Sequence, residues 1–174
     1  VVGAIKSGKS TFVNAFLGGD YLERGVGVVT SIVTKIRREP TLKAILDFKT
    51  WDDVNADMRQ ARVFLPSFDR SSGDGQFDIR REKDRKEMGR ELKRLGSENI
   101  ILQEILDANS VLLMSYLKGY ERVKDLISLD AGTRSFEGSE FVRYKDFVGD
   151  DSLAVYLRDL ELRIPLGKDL YDNM

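Results

Sequence analysis

The 174 residues contain no cysteine and no histidine. Without thiols, disulfides, thiolate zinc sites and cysteine nucleophiles are excluded, and a reducing compartment is permitted. Without imidazole, histidine general-base catalysis and histidine metal ligation are excluded too, so any metal must be a hard cation held by oxygen. Only 3 prolines stand beside 15 glycines, which rules out collagen-like and proline-rich chains. Net charge is also lacking, because 28 Lys and Arg against 29 Asp and Glu leave −1. Bulk charge therefore gives no argument for nucleic acid or anionic lipid, and no nucleic-acid partner is expected. The aromatic residues are scattered, without the stacking platform that single strands need. No apolar run approaches the length of a membrane span, and nothing reads as a signal peptide. What remains is 41% hydrophobic and 33% charged. That is enough apolar material for a core, at a length that fits one domain better than two.

Chemistry begins almost at once. Gly3-Ala4-Ile5-Lys6-Ser7-Gly8-Lys9-Ser10 satisfies G-x-x-x-x-G-K-[ST] in full. It lies between Val1-Val2, read as the tail of a buried strand, and a helical pattern over 9–17 that ends at Gly18-Gly19. Such a loop bends around an anion with successive backbone N–H groups pointing inward, and glycine permits the close approach. The helix beginning near Lys9 adds the positive end of its dipole. Lys9 is expected to neutralise the β- and γ-phosphates and the Ser10 hydroxyl to ligate Mg²⁺. The expected phosphate-contacting set is Gly3, Lys6, Ser7, Gly8, Lys9, Ser10 and Thr11. Within it Lys6 either adds a second positive charge beside the phosphates or points into solvent. The bland alternative is a glycine turn with an incidental lysine, against which the full motif and its strand-to-helix context both argue.

Further along, 28–38 is rich in β-branched residues and reads mostly as strand, Pro40 breaks it, and 42–49 reads as a second strand. The two are close enough to form an antiparallel hairpin. Thr50 and Asp53 suit a capping box for a helix of about a dozen residues. Residues 66–75 are loop-like. The run 80–94 alternates charge sign as a solvated helix does, and 97–118 carries apolar residues at the spacing of one long amphipathic helix. That helix reads as core packing, with docking onto a partner as the minor alternative. Another helical stretch reaches 129, 130–138 reads as loop, and Asp150 or Asp151 can cap a short helix. Finally Leu160, Leu162 and Ile164 alternate with Glu161 and Arg163, a half-buried strand ending at Pro165.

The run Gly8-Lys9-Ser10-Thr11-Phe12-Val13-Asn14-Ala15-Phe16-Leu17-Gly18 resembles the GKST-x-x-N-A-[LF]-L-G segment of translation-factor-like GTPases, especially the large dynamin-like ones. Gly27-Val28-Val29-Thr30 resembles the dynamin-type switch I segment, G-[IV]-V-T. A lysine-bearing loop like this one shifts the likeness towards bacterial dynamin-like proteins, and Ile5 stands where animal dynamins carry a glutamine. The resemblance covers about 1–62 and 152–174. It implies an α/β phosphate-loop NTPase fold, three-layered αβα, represented by a fragment with a large helical insert. On this division 1–62 is the N-terminal part of the GTPase domain, 63–151 a mostly helical insert, and 152–174 the return to the sheet.

The resemblance also implies GTP or GDP with Mg²⁺ as ligands, and Mg²⁺-dependent GTP hydrolysis. Lys9 and Thr30 would be catalytic, and Ser10 and Thr30 would ligate the metal; Thr34 is a rival to Thr30. Asn14 matches the family run but reads most simply as a residue satisfying backbone groups between helix and loop. The guanine-reading [NT]-K-x-D is not found, and Asp146-Phe147-Val148-Gly149 is read as a decoy for D-x-x-G, because two charges precede it where a buried strand would be apolar. The chain is therefore expected to stop before its D-x-x-G strand. Self-association through G domains, membrane association and a cytoplasmic location, in part at the membrane periphery, come from the resemblance alone. An ATP-binding phosphate-loop ATPase and a nucleotide-binding scaffold without efficient hydrolysis are the alternative readings.

Overall fold

The computed structural model describes residues 8–22, 32–63, 77–98, 103–127 and 132–165. They divide into two compact units, 1–47 with 133–174, and 48–132.

The first unit opens with helix α1, Lys9–Leu17, which ends at Gly18 in the left-handed conformation (φ 67). Of the strand expected over 28–38, residues 28–31 lie outside the described residues and Val33–Arg38 form β1, followed by β2, Lys43–Phe48. After the second unit the chain returns as β3, Thr133–Glu137, and a 3-10 helix, Gly138–Tyr144. Two short helices, α5 at Lys145–Val148 and α6 at Asp151–Ala154, lead into β4, Leu157–Ile164. Asp150 caps α6 by accepting from the Ser152 amide at 2.9 Å, as the acidic pair promised.

The sheet corrects the expected hairpin. Its order is β1-β4-β2-β3, so β4 lies between the two strands that are adjacent in sequence. β4 pairs parallel with β1, from Val33 opposite Asp159 to Arg38 opposite Ile164. Even Glu39, just past β1, donates its amide to the Ile164 carbonyl at 3.0 Å. Burial explains the choice. Leu160, Leu162 and Ile164 are all buried, which suits a central strand. β1 carries Lys35, Arg37 and Arg38, which suit an edge. Its cations meet β4 carboxylates, Lys35 with Asp159 at 3.0 Å and Arg37 with Glu161 at 3.5 Å.

A second correction concerns 130–138, expected as loop. Residues 133–137 form β3, antiparallel to β2 with Ala44 opposite Phe136. Only Phe136 of this strand is buried, so its sequence lacks the apolar alternation that marks a strand.

The second unit is helical across most of its described length. Thr50 caps α2, Trp51–Arg62, through a capping box: the Asp53 amide donates to Thr50 Oγ1 at 3.1 Å, and the Thr50 amide donates to Asp53 at 3.0 Å. Of the single helix expected over 97–118, residues 99–102 lie outside the described residues. α3, Glu82–Glu98, takes in Ser97, and α4, Gln103–Val123, carries on past Lys118. Gly96 and Ser97 do not stop α3, because its apolar residues Met88 and Leu92 are buried and tertiary packing outweighs weak local propensity. Trp51, Val54 and Met58 of α2 and Leu113, Tyr116, Tyr120 and Val123 of α4 complete this core.

Polar pins hold the helices. Tyr116 Oη donates to Asp57 at 2.7 Å and accepts from Lys49 Nζ at 3.0 Å, while Lys49 reaches Asp57 at 2.8 Å. Arg85 stacks over the Tyr120 ring at 3.8 Å. Asn55 ties α2 to the start of the next segment, accepting from the Ile79 amide at 3.0 Å and donating to Asp78 at 3.2 Å. The Arg80 guanidinium grips both Asp78 carboxylate oxygens, and these hydrogen bonds hold the Asp78 carboxyl at about 2. No helix among the described residues is long and apolar enough to cross a membrane.

Candidate functional site

The phosphate-loop motif reaches the described part of the chain at Gly8, the N-cap residue of α1. Gly8 is left-handed (φ 79, ψ 8), with open space where a Cβ would stand. Glycine is needed for the backbone angle rather than for room. The turn directs the chain straight into the helix, whose first hydrogen bond runs from the Phe12 amide to the Gly8 carbonyl at 2.9 Å. Gly8 has no side chain to cap the helix, and no acidic residue lies in the first turn. Within its own first turn α1 thus offers its leading amides no carboxylate, and the dipole favours an anion there. Ser10 is half-buried and Thr11 exposed on that first turn. This backbone and donor set suits a phosphate group, with the Ser10 hydroxyl as an oxygen ligand for a hard cation.

Of the expected site residues, Gly8, Ser10 and Thr11 and the backbone of Lys9 are therefore brought together at one helix start. Gly3, Lys6, Ser7 and Thr30, and the Lys9 side chain, lie outside the described residues. The rival Thr34 sits half-buried within β1, opposite Leu160. Asp146 of the D-x-x-G look-alike lies in α5, preceded by a 3-10 helix. A D-x-x-G of the expected kind follows a buried strand, so the decoy reading of this tetrapeptide stands.

Asn14 occupies the position one turn beyond Ser10, on the same face of α1. It is 3% exposed, and its amide meets the chain on the far side of the helix end. Oδ1 accepts from the Tyr21 amide at 3.1 Å and the Leu22 amide at 2.7 Å. Nδ2 donates to the Leu22 carbonyl at 2.7 Å and to Asp20 Oδ1 at 3.0 Å. Backbone satisfaction, the simple reading of Asn14, is what the geometry contains.

The same short segment is also held by residues that sequence reasoning did not single out. Tyr144 Oη donates to the Tyr21 carbonyl, the Tyr21 ring meets Phe141 edge-on with centroids 6.3 Å apart, and Lys145 reaches Asp20 at 3.4 Å. No sequence signal marks these contacts, because about 120 residues separate the partners.

A family model described as the Dynamin family matches residues 1–117. No curated protein matches the chain. The matched span is 117 of the 174 residues and includes the glycine turn and α1, so the chain belongs to the dynamin family, whose domain is a phosphate-loop GTPase that binds guanine nucleotide.

Proposed function

We propose that the chain is the N-terminal part of a bacterial dynamin-like GTPase domain that hydrolyses GTP with Mg²⁺. The reading rests above all on one observation: the family match runs through a complete G-x-x-x-x-G-K-[ST] motif. The left-handed Gly8 at the start of α1 agrees with it. In this proposal 1–62 and 152–174 belong to a three-layer αβα GTPase fold, and the mostly helical stretch between them is an insert from which the chain re-enters the sheet at β3.

The roles follow from elementary electrostatics. The amides of the 3–10 loop and the start of α1 bind the phosphates, and the Lys9 ammonium offsets their charge. Lys6 adds a second cation beside them. Ser10 and Thr30 would hold Mg²⁺ through their hydroxyls, and the ion would supply neutralisation of phosphate charge when bound. Thr30 also helps orient the attacking water. Catalysis on this view is positional and electrostatic, with no covalent intermediate on the protein. Self-association through G domains, peripheral membrane attachment and a cytoplasmic location complete the proposal as family properties.

The test is Lys9→Ala in the complete protein, read by titration with fluorescent GTP. Loss of an ammonium that faces phosphate should weaken binding by about two orders of magnitude or more. Unchanged affinity would sink the assignment. Binding by the parent protein with no phosphate release, even at concentrations that allow assembly, would favour the scaffold reading instead.

A further inference from the structure

We infer that the solvent face of α3 is a docking surface for a layer of anionic phospholipid headgroups. The inference rests on the peripheral membrane attachment proposed above and gives it a place on the molecule. Along the chain the charges of this run alternate in sign, but the helix sorts them. Of residues 82–94, the exposed ones are Glu82, Lys83, Lys86, Arg90, Lys93 and Arg94, five cations and a single acid. Asp84, Glu87 and Glu91 are half-buried. At 3.6 residues per turn the five cations fall within an arc of about 100° and extend along about 16 Å of helix. Met88 and Leu92 lie on the opposite side and are buried, so the basic face is the one turned away from the helical core.

Part of this charge is already matched. Lys86 pairs with Glu82 at 2.6 Å and Arg94 with Glu91 at 3.1 Å. Lys83, Arg90 and Lys93 pair with no carboxylate among the described residues, and Arg90 Nε reaches the Lys86 carbonyl at 3.4 Å. The helix that presents them is fixed from behind. Arg85, on the inner side, stacks on the Tyr120 ring at 3.8 Å and donates to the Ile79 carbonyl at 2.7 Å. Docking therefore needs no segment to order first.

The chemistry of the face selects the partner. It exposes no apolar or aromatic side chain that could fill a protein pocket or stack on a base. It also lacks the Ser, Thr, Asn and Gln side chains that share the contacts on nucleic-acid duplexes. Isolated exposed ion pairs contribute too little to hold a specific protein complex without buried anchors. A headgroup layer needs no such anchors. Its phosphates move laterally to meet long, flexible cations, and its surface potential acts on all of them together. The net charge of −1 does not oppose this, because charges more than about 10 Å away are screened at about 0.1 M salt.

The experiment is co-sedimentation of the complete protein with vesicles of phosphatidylcholine alone, or of phosphatidylcholine with about a third phosphatidylglycerol. The parent should bind the mixed vesicles and not the neutral ones, and should be released as NaCl rises towards about 1 M. Each cation near such a surface is worth about fivefold in partitioning. Lys83→Gln/Arg90→Gln/Lys93→Gln should therefore weaken binding by about tenfold or more at about 0.1 M salt. Lys83→Glu/Arg90→Glu/Lys93→Glu should abolish it, and the neutral triple carries the test if this one does not fold by circular dichroism. Lys35→Gln/Arg37→Gln/Arg38→Gln removes the same charge from β1 and should change binding by less than about threefold. Binding to mixed vesicles that the α3 triples leave unchanged overturns this inference and keeps the attachment itself. An equal loss from the β1 triple, or equal binding to neutral vesicles, overturns it too. Tighter binding to a short DNA duplex than to the mixed vesicles, lost in the α3 triples, overturns it in favour of nucleic acid. A parent protein that binds no vesicles overturns the attachment and this inference together.

Discussion

Replacing Asn14 by Ala should cost the protein stability, and the cost can be worked from the contacts. The substitution removes the acceptor of the Tyr21 and Leu22 amides and the donors to the Leu22 carbonyl and Asp20. Asp20 loses little, because its side chain is 66% exposed and water replaces the amide. Tyr21 and Leu22 are only half-buried, so their amides pay part of the full desolvation penalty. At the lower end of about 1–3 kcal/mol for each unsatisfied amide, the sum is about 2–3 kcal/mol. For a chain of this size that is a drop in melting temperature of about 5–10 °C. Thermal melts followed by circular dichroism measure it directly. A melting temperature for Asn14→Ala within about 1 °C of the parent would refute the reasoning, since no clamp of this kind could then exist.

Two other predictions concern the helical unit. Asp78, gripped by Arg80, has its carboxyl lowered from 3.8 to about 2. A lowered carboxyl stabilises the fold above its unfolded value and loses that contribution as the pH falls through the folded one. Stability should therefore decline between about pH 4 and pH 2 by roughly 1 kcal/mol after solvent screening. Asp78→Asn should flatten that part of an acid-unfolding profile, and an unchanged slope would contradict the assignment. Tyr116→Phe keeps the buried ring but takes the hydroxyl away from both Lys49 and Asp57. Urea unfolding should show a loss of about 1–2 kcal/mol, and a midpoint equal to the parent's would show that the three-way contact contributes nothing.

The parts of the structure legible in the sequence are those written in local chemistry. α1 follows from its position between Gly8 and Gly18, α2 from Thr50 and Asp53, and β4 from the alternation of Leu160, Leu162 and Ile164. The motif from Gly3 to Ser10 likewise carries its own physical logic. Pairing across long separations is not legible in this way. β1 and β2 look like a hairpin because only four residues separate them, yet the partner that buries more apolar surface arrives some 120 residues later. β3 is hidden because a polar strand with one buried residue, Phe136, looks like loop. The helix boundary expected at Ser97 gives way for a related reason: Met88 and Leu92 pack well enough to carry α3 through a glycine and a serine. At the site, Asn14 is visible as a polar residue on a helix, but nothing local names its partners at 20–22 or the contact that Tyr144 makes with the same segment. Only the fold brings them together.

The central claim is that this chain contributes to a site for guanine nucleotide. The most direct measurement is displacement of fluorescent GTP from the complete protein, in Mg²⁺ buffer, by unlabelled GTP and by unlabelled ATP. Unlabelled GTP should displace the probe at stoichiometric excess, while a hundredfold or so larger excess of ATP leaves it bound, as expected where a buried base contact rejects the wrong partner. Equal displacement by ATP would contradict the claim and point to an ATP-binding phosphate-loop protein.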